Sequence, residues 1–390
     1  MGKTHGPSIF VFGHFGAGNF GDELMLEGFC RTMFEINPKF NLRVSSKKHL
    51  LSNFVASKVT PIPYSLTQFI LAVFQSQALA IVGGTQFHDC GFGQVRIKHA
   101  IAQIKIACLV SFAWVLQKRI VLVGVGIGPF RSRVWKRCFG QLCRMFDAIS
   151  VRDSESYETV CKMINQQFVC LADDLAITAI HARSNEMRAQ NKHSVARLGI
   201  SLAASFGYTD SGQENEERIS NNLFLALQRV LREDANRTVI FFVLTESGSE
   251  AVITLTERLH RKLKAEFANR VKTLKMGSGL ESTLEAMSEC DWFLGMKFHG
   301  VVTAMELGCR VAAISYHPKI QRFMNSHGAN HRVLTLLDAA DELNVVNLLT
   351  ELVAERSSSR IQVPWSDKVQ KEFLLSQLWG QPLGSSSQIK

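Results

Sequence analysis

The stretch Cys290–Phe323, CDWFLGMKFHGVVTAMELGCRVAAISYHPKIQRF, reads as strand, turn, helix, strand, turn, helix. Asp291–Gly295 is a short, mostly apolar run that ends on a glycine. Met296–Gly300 follows as a turn, Val301–Leu307 repeats apolar residues as a buried helix does, and Gly308 stops it. Val311–Ser315 is the next strand, and Tyr316-His317-Pro318-Lys319 opens the last helix. Two strand-to-helix turns thereby place His299, Lys297 and Lys319 near the carboxyl ends of neighbouring parallel strands, where open α/β sheets bind ligands. Histidine exchanges a proton near neutrality without a large shift, and two lysines beside it point to an anionic ligand. The plainer reading makes His299 a helix cap and leaves both lysines solvated.

The same alternation runs through the whole chain. Ser8–Gly13 is a buried strand, followed by a loop and an amphipathic helix from about Glu23 to Phe34. That loop holds Gly16-Ala17-Gly18-Asn19-Phe20-Gly21, the GxGxxG spacing that lets a backbone approach a pyrophosphate. Asp22 and Glu23 would repel a phosphate there. The next strand, Asn41–Val44, ends in Ser45-Ser46-Lys47-Lys48 without the acid that binds a ribose hydroxyl. Asn19 and Asp22 remain able to reach a ligand's hydroxyls. A loop through Pro61 and Pro63 leads to a helix near Leu66–Gln75, then strand Ala78–Val82 and Gly83-Gly84, with Asp89 just beyond as a site or turn residue. Helix Val95–Leu116, strand Ile120–Val125, helix Val134–Met145 and strand Ala148–Val151 follow. Arg152 and Asp153 are expected to pair, with Ser154 capping a helix from Glu155. Val169–Leu171 is the last strand of this half.

The polar segment His181–Ser194 reads as a structureless linker. The pattern then restarts with strand Leu198–Ala203, an acidic loop Asp210–Glu217 and helix Arg218–Leu231. Strand Thr238–Leu244, helix Glu250–Leu263 capped by Ser249, strand Val271–Leu274 and helix Leu280–Met287 capped near Ser278 come next. Asp338–Glu355 is a further helix, Ser357–Arg360 a break, and Val369–Leu378 a terminal helix that could pack on either half. Gly384–Lys390 is expected to be disordered. The expected fold is therefore two doubly wound, Rossmann-like parallel sheets facing a cleft. The divisions are 1–180, a linker 181–196, 197–356, and a helix and tail 357–390.

With 390 residues, 46% apolar and 20% charged, the chain fits a globular protein of two or three domains. A net charge of +10, spread without any run of nucleic-acid-arm density, suits anionic small substrates or an acidic membrane surface as well as it suits nucleic acid, and no nucleic-acid partner is expected. Nine cysteines show no CxxC or Cys/His metal spacing, so reduced thiols in a cytoplasmic protein and no metal site are expected. The longest apolar run, Ile106–Leu116, falls short of the ~20 residues that a membrane span needs. Any membrane association would be peripheral.

Read together, the loops resemble those of the polysaccharide pyruvyl transferase family. Gly13–Glu23 is similar to its GxxGxxNxGDE loop, and Gly83-Gly84 with Asp89 to its second glycine turn. Gly124–Pro129 resembles GQGIGP, Ser150–Asp153 matches SxRD, and Ala172-Asp173 resembles the AD pair. Gly295–His299 looks like GxRxH and Ser315–Lys319 matches SYxPK. The set runs in order from about residue 10 to about residue 328.

The resemblance implies a glycosyltransferase-B-like fold and transfer of a pyruvyl group from phosphoenolpyruvate onto two sugar hydroxyls as a ketal. No cofactor beyond that co-substrate is implied. His299 would be the general acid. Lys297, Lys319, Tyr316 and Gly295 would hold the donor. Asp89 or Asp22 would be the base, and Asn19, Gly18, Gly84 and Arg152 would face a saccharide acceptor, lipid-linked or free. Three departures stand out. The family has arginine where Lys297 stands, and lysine lacks the bidentate fork. Alanine occupies position 203, the arginine place of an SxR strand end, and Val125 replaces a glutamine. Two other functions stay open: an NADP-dependent oxidoreductase using Lys47 and Lys48, and a non-catalytic glycan-binding relative.

Overall fold

The computed structural model describes residues 6–48, 52–89, 93–187, 195–203, 212–245, 250–354 and 368–379. The chain divides into two compact units. One comprises Met1–Ala17, Asp22–Ala179 and Trp365–Lys390, the other Gly18–Gly21 and Ile180–Pro364.

The first unit carries β1 (Ser8–Phe12), α1 (Phe20–Ile36), β2 (Asn41–Ser46), α2 (Asn53–Ala56), β3 (Thr60–Pro63), α3 (Leu66–Phe74) and β4 (Ala78–Val82). It continues with α4 (Gly93–Val115), β5 (Arg119–Val125), α5 (Arg133–Cys143), β6 (Ala148–Val151), α6 (Ser154–Cys161), β7 (Val169–Leu171) and the start of α7 (Leu175–Met187). Its sheet is parallel throughout, in the order β3-β2-β1-β4-β5-β6-β7. Every residue of β4 is buried, as a strand covered by helices on both faces requires. Phe69 and Val73 of α3, Ile106 and Val110 of α4 and Phe139 of α5 close one core against this sheet.

The second unit carries β8 (Ala196–Ser201), α8 (Gly212–Glu233), β9 (Arg237–Val243), α9 (Glu250–Phe267), β10 (Val271–Lys275), α10 (Leu280–Ser288) and β11 (Trp292–Gly295). Beyond them lie α11 (Phe298–Glu306), β12 (Arg310–Ser315), α12 (Pro318–Ser326), β13 (Val333–Thr335), α13 (Leu336–Ala339) and α14 (Glu342–Ala354). The order is β10-β9-β8-β11-β12-β13, again parallel, with Gly295 in register with Ser201 on one side and Ala313 on the other. Both sheets reverse their winding once, between β1 and β4 and between β8 and β11. Those reversals are where crossovers leave on opposite faces and a ligand can reach the strand ends.

Several sequence expectations need correction. Thr60–Pro63, read as a loop, is the edge strand β3, since an edge tolerates prolines that cannot donate to a ladder. The supposed linker begins as helix, because α7 runs on to Met187; residues 188–194 lie outside the described part. The acidic loop Asp210–Glu217 is helical from Gly212 onward, while Asp210 and Ser211 lie outside the described residues. Asp153, not Ser154, caps α6 by accepting the Ser156 N–H at 2.9 Å. Gly279 precedes α10 with no side-chain cap, and Asp338–Glu355 divides into α13 and α14. Ser249, Ser357–Arg360 and Gly384–Lys390 fall outside the described residues.

The terminal helix α15 (Lys368–Trp379) packs on β5 and β6 of the first sheet. Ser150 Oγ, buried in β6, donates to Gln370 Oε1 at 3.0 Å, and Lys371 pairs with Glu35 at 2.6 Å. In the second sheet, fully buried Phe293 meets the Phe242 ring at 5.8 Å and fills the space above Gly199. Truncation of Phe293 to alanine is expected to lower the unfolding free energy by about 3–5 kcal/mol. Urea denaturation checks this; a loss under about 1 kcal/mol would show that the site collapses freely.

Candidate active site

At the β8/β11 reversal the chain leaves β11 through Gly295 and Met296, whose N–H still donates to Ser201 O at 2.7 Å. Lys297 then occupies the N-cap of α11 in an extended conformation, without a side-chain cap. His299 therefore sits inside the first helical turn, where the sequence had placed a turn. The first N–H groups of a helix lack intrahelical acceptors and favour an anion. This turn consequently presents amide donors and an imidazole at the strand ends.

The side chains around it come from the next strand-to-helix junction. His317 caps α12, its Nδ1 accepting the Lys319 N–H at 3.3 Å, which makes Nδ1 the unprotonated nitrogen. Lys319 Nζ stands 5.2 Å from the centre of the Phe298 ring. Phe298 in turn meets the His299 ring at 5.2 Å and Phe323 at 5.7 Å, both edge-on. Tyr316 is half-buried against the core of this unit. Of the residues proposed to hold the donor, Lys319 thus meets the Phe298 ring beside His299, Lys297 precedes Phe298 at the N-cap of α11, and Gly295 is buried at the end of β11.

Residues Gly18–Gly21 belong to the same neighbourhood. Asn19 bridges Thr245 in antiparallel fashion, and the Phe20 N–H donates to Leu244 O at 3.3 Å, just past the end of β9. Asn19 Oδ1 accepts the Gly21 N–H at 3.3 Å. A Cβ added to Gly21 would lie 1.9 Å from His299 Nδ1, so the glycine backbone rests on the imidazole. Gly21 is needed there for close approach.

In the first unit, the β1/β4 reversal gathers a second set. Gly16 donates its N–H to Glu23 Oε1 at 2.7 Å, and Glu23 is buried. The position is thereby taken by the chain's own carboxylate. Gly84 has a left-handed φ of 74°, and Asp22 Oδ1 lies 3.9 Å from where its Cβ would be. Lys47 Nζ donates to His14 Nε2 at 3.2 Å. Desolvation, with the Lys47 ammonium beside it, lowers His14 to about 4. Desolvation also lowers Lys47, and the Asp22 carboxylate opposes that shift.

Two other candidates hold loops in place. Buried Asp89 accepts the N–H groups of Arg131 and Ser132, one on each carboxylate oxygen. Arg152 pairs with Asp174 at 2.8 Å and donates to Thr85 Oγ1 at 3.0 Å. The expected Arg152–Asp153 pair does not form, because Asp153 is spent on its cap. Sequence reasoning missed the cradle formed by Leu244 and Thr245, and also Ser201. The Ser201 hydroxyl is fully buried, has no partner among the described residues, and stands 2.6 Å from where a Cβ on Gly300 would be.

This geometry coincides with a family match. The model of the polysaccharide pyruvyl transferase family covers residues 19–318, from Asn19 of the glycine loop to the proline that opens α12. The chain belongs to the polysaccharide pyruvyl transferase family. The matched span includes Lys297, His299 and Tyr316, with Lys319 the first residue beyond it. No curated protein matches the chain.

Among solved structures, Staphylococcus aureus MnaA with UDP is similar at 11% identity, covering 95% of this chain and 96% of that one, with a TM-score of 0.63. The UDP-GlcNAc 2-epimerase of Neisseria meningitidis bound to UDP-GlcNAc is similar at 12% identity, 95% and 100% coverage and TM-score 0.61. That of Methanocaldococcus jannaschii gives 10%, 91% and 95%, and 0.57. At such identities the likeness establishes the glycosyltransferase-B-like fold class of two parallel-sheet α/β domains.

Two outcomes are expected. Gly21→Ala should displace the His299 imidazole while leaving the fold intact, seen as a moved ring resonance in histidine-labelled protein; an unmoved resonance would contradict the contact. His14 binds its proton more weakly folded than unfolded, so it costs no stability above the ordinary histidine range. Its cost grows as pH falls from about 6.5 toward 4, where the unfolded chain takes up the proton first. Chemical denaturation of His14→Gln against the parent should show that slope reduced.

Proposed function

We propose that the chain transfers the pyruvyl group of phosphoenolpyruvate to two hydroxyls of a saccharide, forming a cyclic ketal and releasing phosphate. The observation that supports this most is the imidazole of His299, held in the first turn of α11 beside Lys297 and the Lys319–Phe298 pair. An enol phosphate is inert until its methylene carbon gains a proton. His299 delivers that proton, and an oxocarbenium-like centre develops at the adjacent carbon. One sugar hydroxyl adds there and loses its proton. The carbon–oxygen bond to phosphate then breaks and the second hydroxyl closes the ring; one hydroxyl proton restores the imidazolium and the other leaves on the released phosphate.

Charge decides how the donor would sit. Carboxylate and phosphate both need donors, and Lys297, Lys319 and the first-turn amides of α11 supply them. The buried Ser201 hydroxyl adds one more beside the same turn. With both oxygens of Asp89 engaged by the Arg131–Ser132 backbone, Asp22, next to Gly21 in the chain, is the better base. The saccharide, lipid-linked or free, would lie by Asn19. A dinucleotide at Gly16–Gly21 is disfavoured because Glu23 already fills the Gly16 amide.

Phosphate release from phosphoenolpyruvate, measured across saccharides bearing adjacent or 4,6-type hydroxyl pairs, tests the reading. Turnover should yield a ketal methyl signal by NMR, and His299→Ala should lower kcat by about 10²–10⁴-fold. Lys319→Ala should chiefly raise KM for the donor. Unaltered turnover by His299→Ala would remove His299 as the acid. Saccharide binding without phosphate release from any acceptor would favour a non-catalytic glycan-binding protein.

A further inference from the structure

Helix α4 is apolar on two opposite sides. Ile106, Leu109, Val110 and Ala113 face the sheet and are buried. Ile97, Ile101 and Ile104, spaced four and three residues apart, form an outward line and are about half exposed or more, Ile97 at 60%. The neighbouring helix α3 repeats the arrangement: Phe69 and Val73 enter the same core, while Leu66, Ile70 and Phe74 point outward at intervals of four, Phe74 at 64%. Lys118 Nζ ties the two helices at their ends by donating to Phe74 O at 3.1 Å. A solvent-facing helix ordinarily turns a polar stripe to water. Two adjacent helices that turn isoleucine, leucine and phenylalanine outward mark a surface that something covers.

The charge around this face identifies what. Composition alone suggested that the positive charge was spread along the chain, but it is concentrated. Between Glu35 and Asp147 there are fifteen Lys or Arg and one acid, Asp89, and that acid is buried on backbone amides. Beside α4 on the same core, α5 exposes Arg133, Lys136 and Arg137, and Lys105 is exposed on α4 itself. None of these four has an ion-pair partner among the described residues. An apolar strip flanked by exposed, unpaired cations is complementary to an anionic lipid headgroup layer over hydrocarbon. No helix among the described residues is long and apolar enough to cross a membrane, so such a surface would lie on the bilayer.

We infer that the α3–α4–α5 face of the first unit is a docking surface for an anionic phospholipid membrane. The outward residues of α3 and α4 enter the headgroup–acyl boundary, and Lys105 with the α5 cations neutralises lipid phosphates. This inference stands apart from the pyruvyl-transfer reading, since it uses none of the residues assigned to that site.

Co-sedimentation of the full chain with vesicles tests it, using phosphatidylcholine alone and phosphatidylcholine mixed with phosphatidylglycerol. Sedimentation is expected with the mixed vesicles only, weakened about tenfold or more by raised salt. Ile101→Glu/Ile104→Glu and, separately, Lys136→Glu/Arg137→Glu should each reduce binding, with unchanged elution volume and circular dichroism. Absence of binding to both vesicle types would overturn the inference, as would equal binding by the parent and both variants. So would a dimer that Ile101→Glu/Ile104→Glu dissolves without any vesicle binding, because the strip would then be a contact between two copies.

Discussion

A strand covered by helices on both faces has little room for a polar side chain, and none for a charged one without a partner. That constraint governs both sheets here. Buried runs such as Ala78–Val82 and Val311–Ile314 leave chemistry only to the segments beyond the carboxyl ends of the strands. The winding reversals select among those segments, since only there do crossovers part and leave the strand ends open. His299 follows one strand of the second reversal, and Ser201 ends the other. Asp22, Gly84 and His14 surround the first.

The strands were legible because their apolar runs are nearly unbroken, and several boundaries agree to the residue. What proved illegible depended on partners far along the chain. Thr60–Pro63 has the composition of a loop and becomes a strand only because β2 offers it an edge. Arg152 and Asp153 are adjacent, yet each is claimed by something else: one by Asp174, the other by the α6 N-terminus. Asp89 read equally as a site residue or a turn residue beyond a glycine turn. Its role became clear only with the loop that starts forty residues later and donates to both its oxygens. For the site, residue types and order pointed to the α11 turn, and they gave no sign of Leu244 and Thr245 as the seat of the glycine loop.

The substitutions that distinguish this chain from the family pattern have a structural setting. Ala203 is buried with the core of its unit. Position 297 is the N-cap of α11, so an ammonium rather than a planar fork is what this helix terminus presents. Lys319, carried on a different helix and lying against Phe298, brings a second cation to the same turn. Charge is thereby retained at the rim while the geometry of its hydrogen bonding changes.

Each unit is assembled from separated pieces of chain. Gly18–Gly21 emerges early in synthesis, but its seats at Leu244, Thr245 and His299 are made more than two hundred residues later. The helix that closes on β5 and β6 comes last of all. Neither unit can finish folding as the ribosome delivers it, and such long-range closure is slow. A fragment starting at the second sheet would lack Gly18–Gly21 and with it the glycine that rests on its own histidine, so cutting the chain at the apparent domain boundary would separate that imidazole from its neighbour.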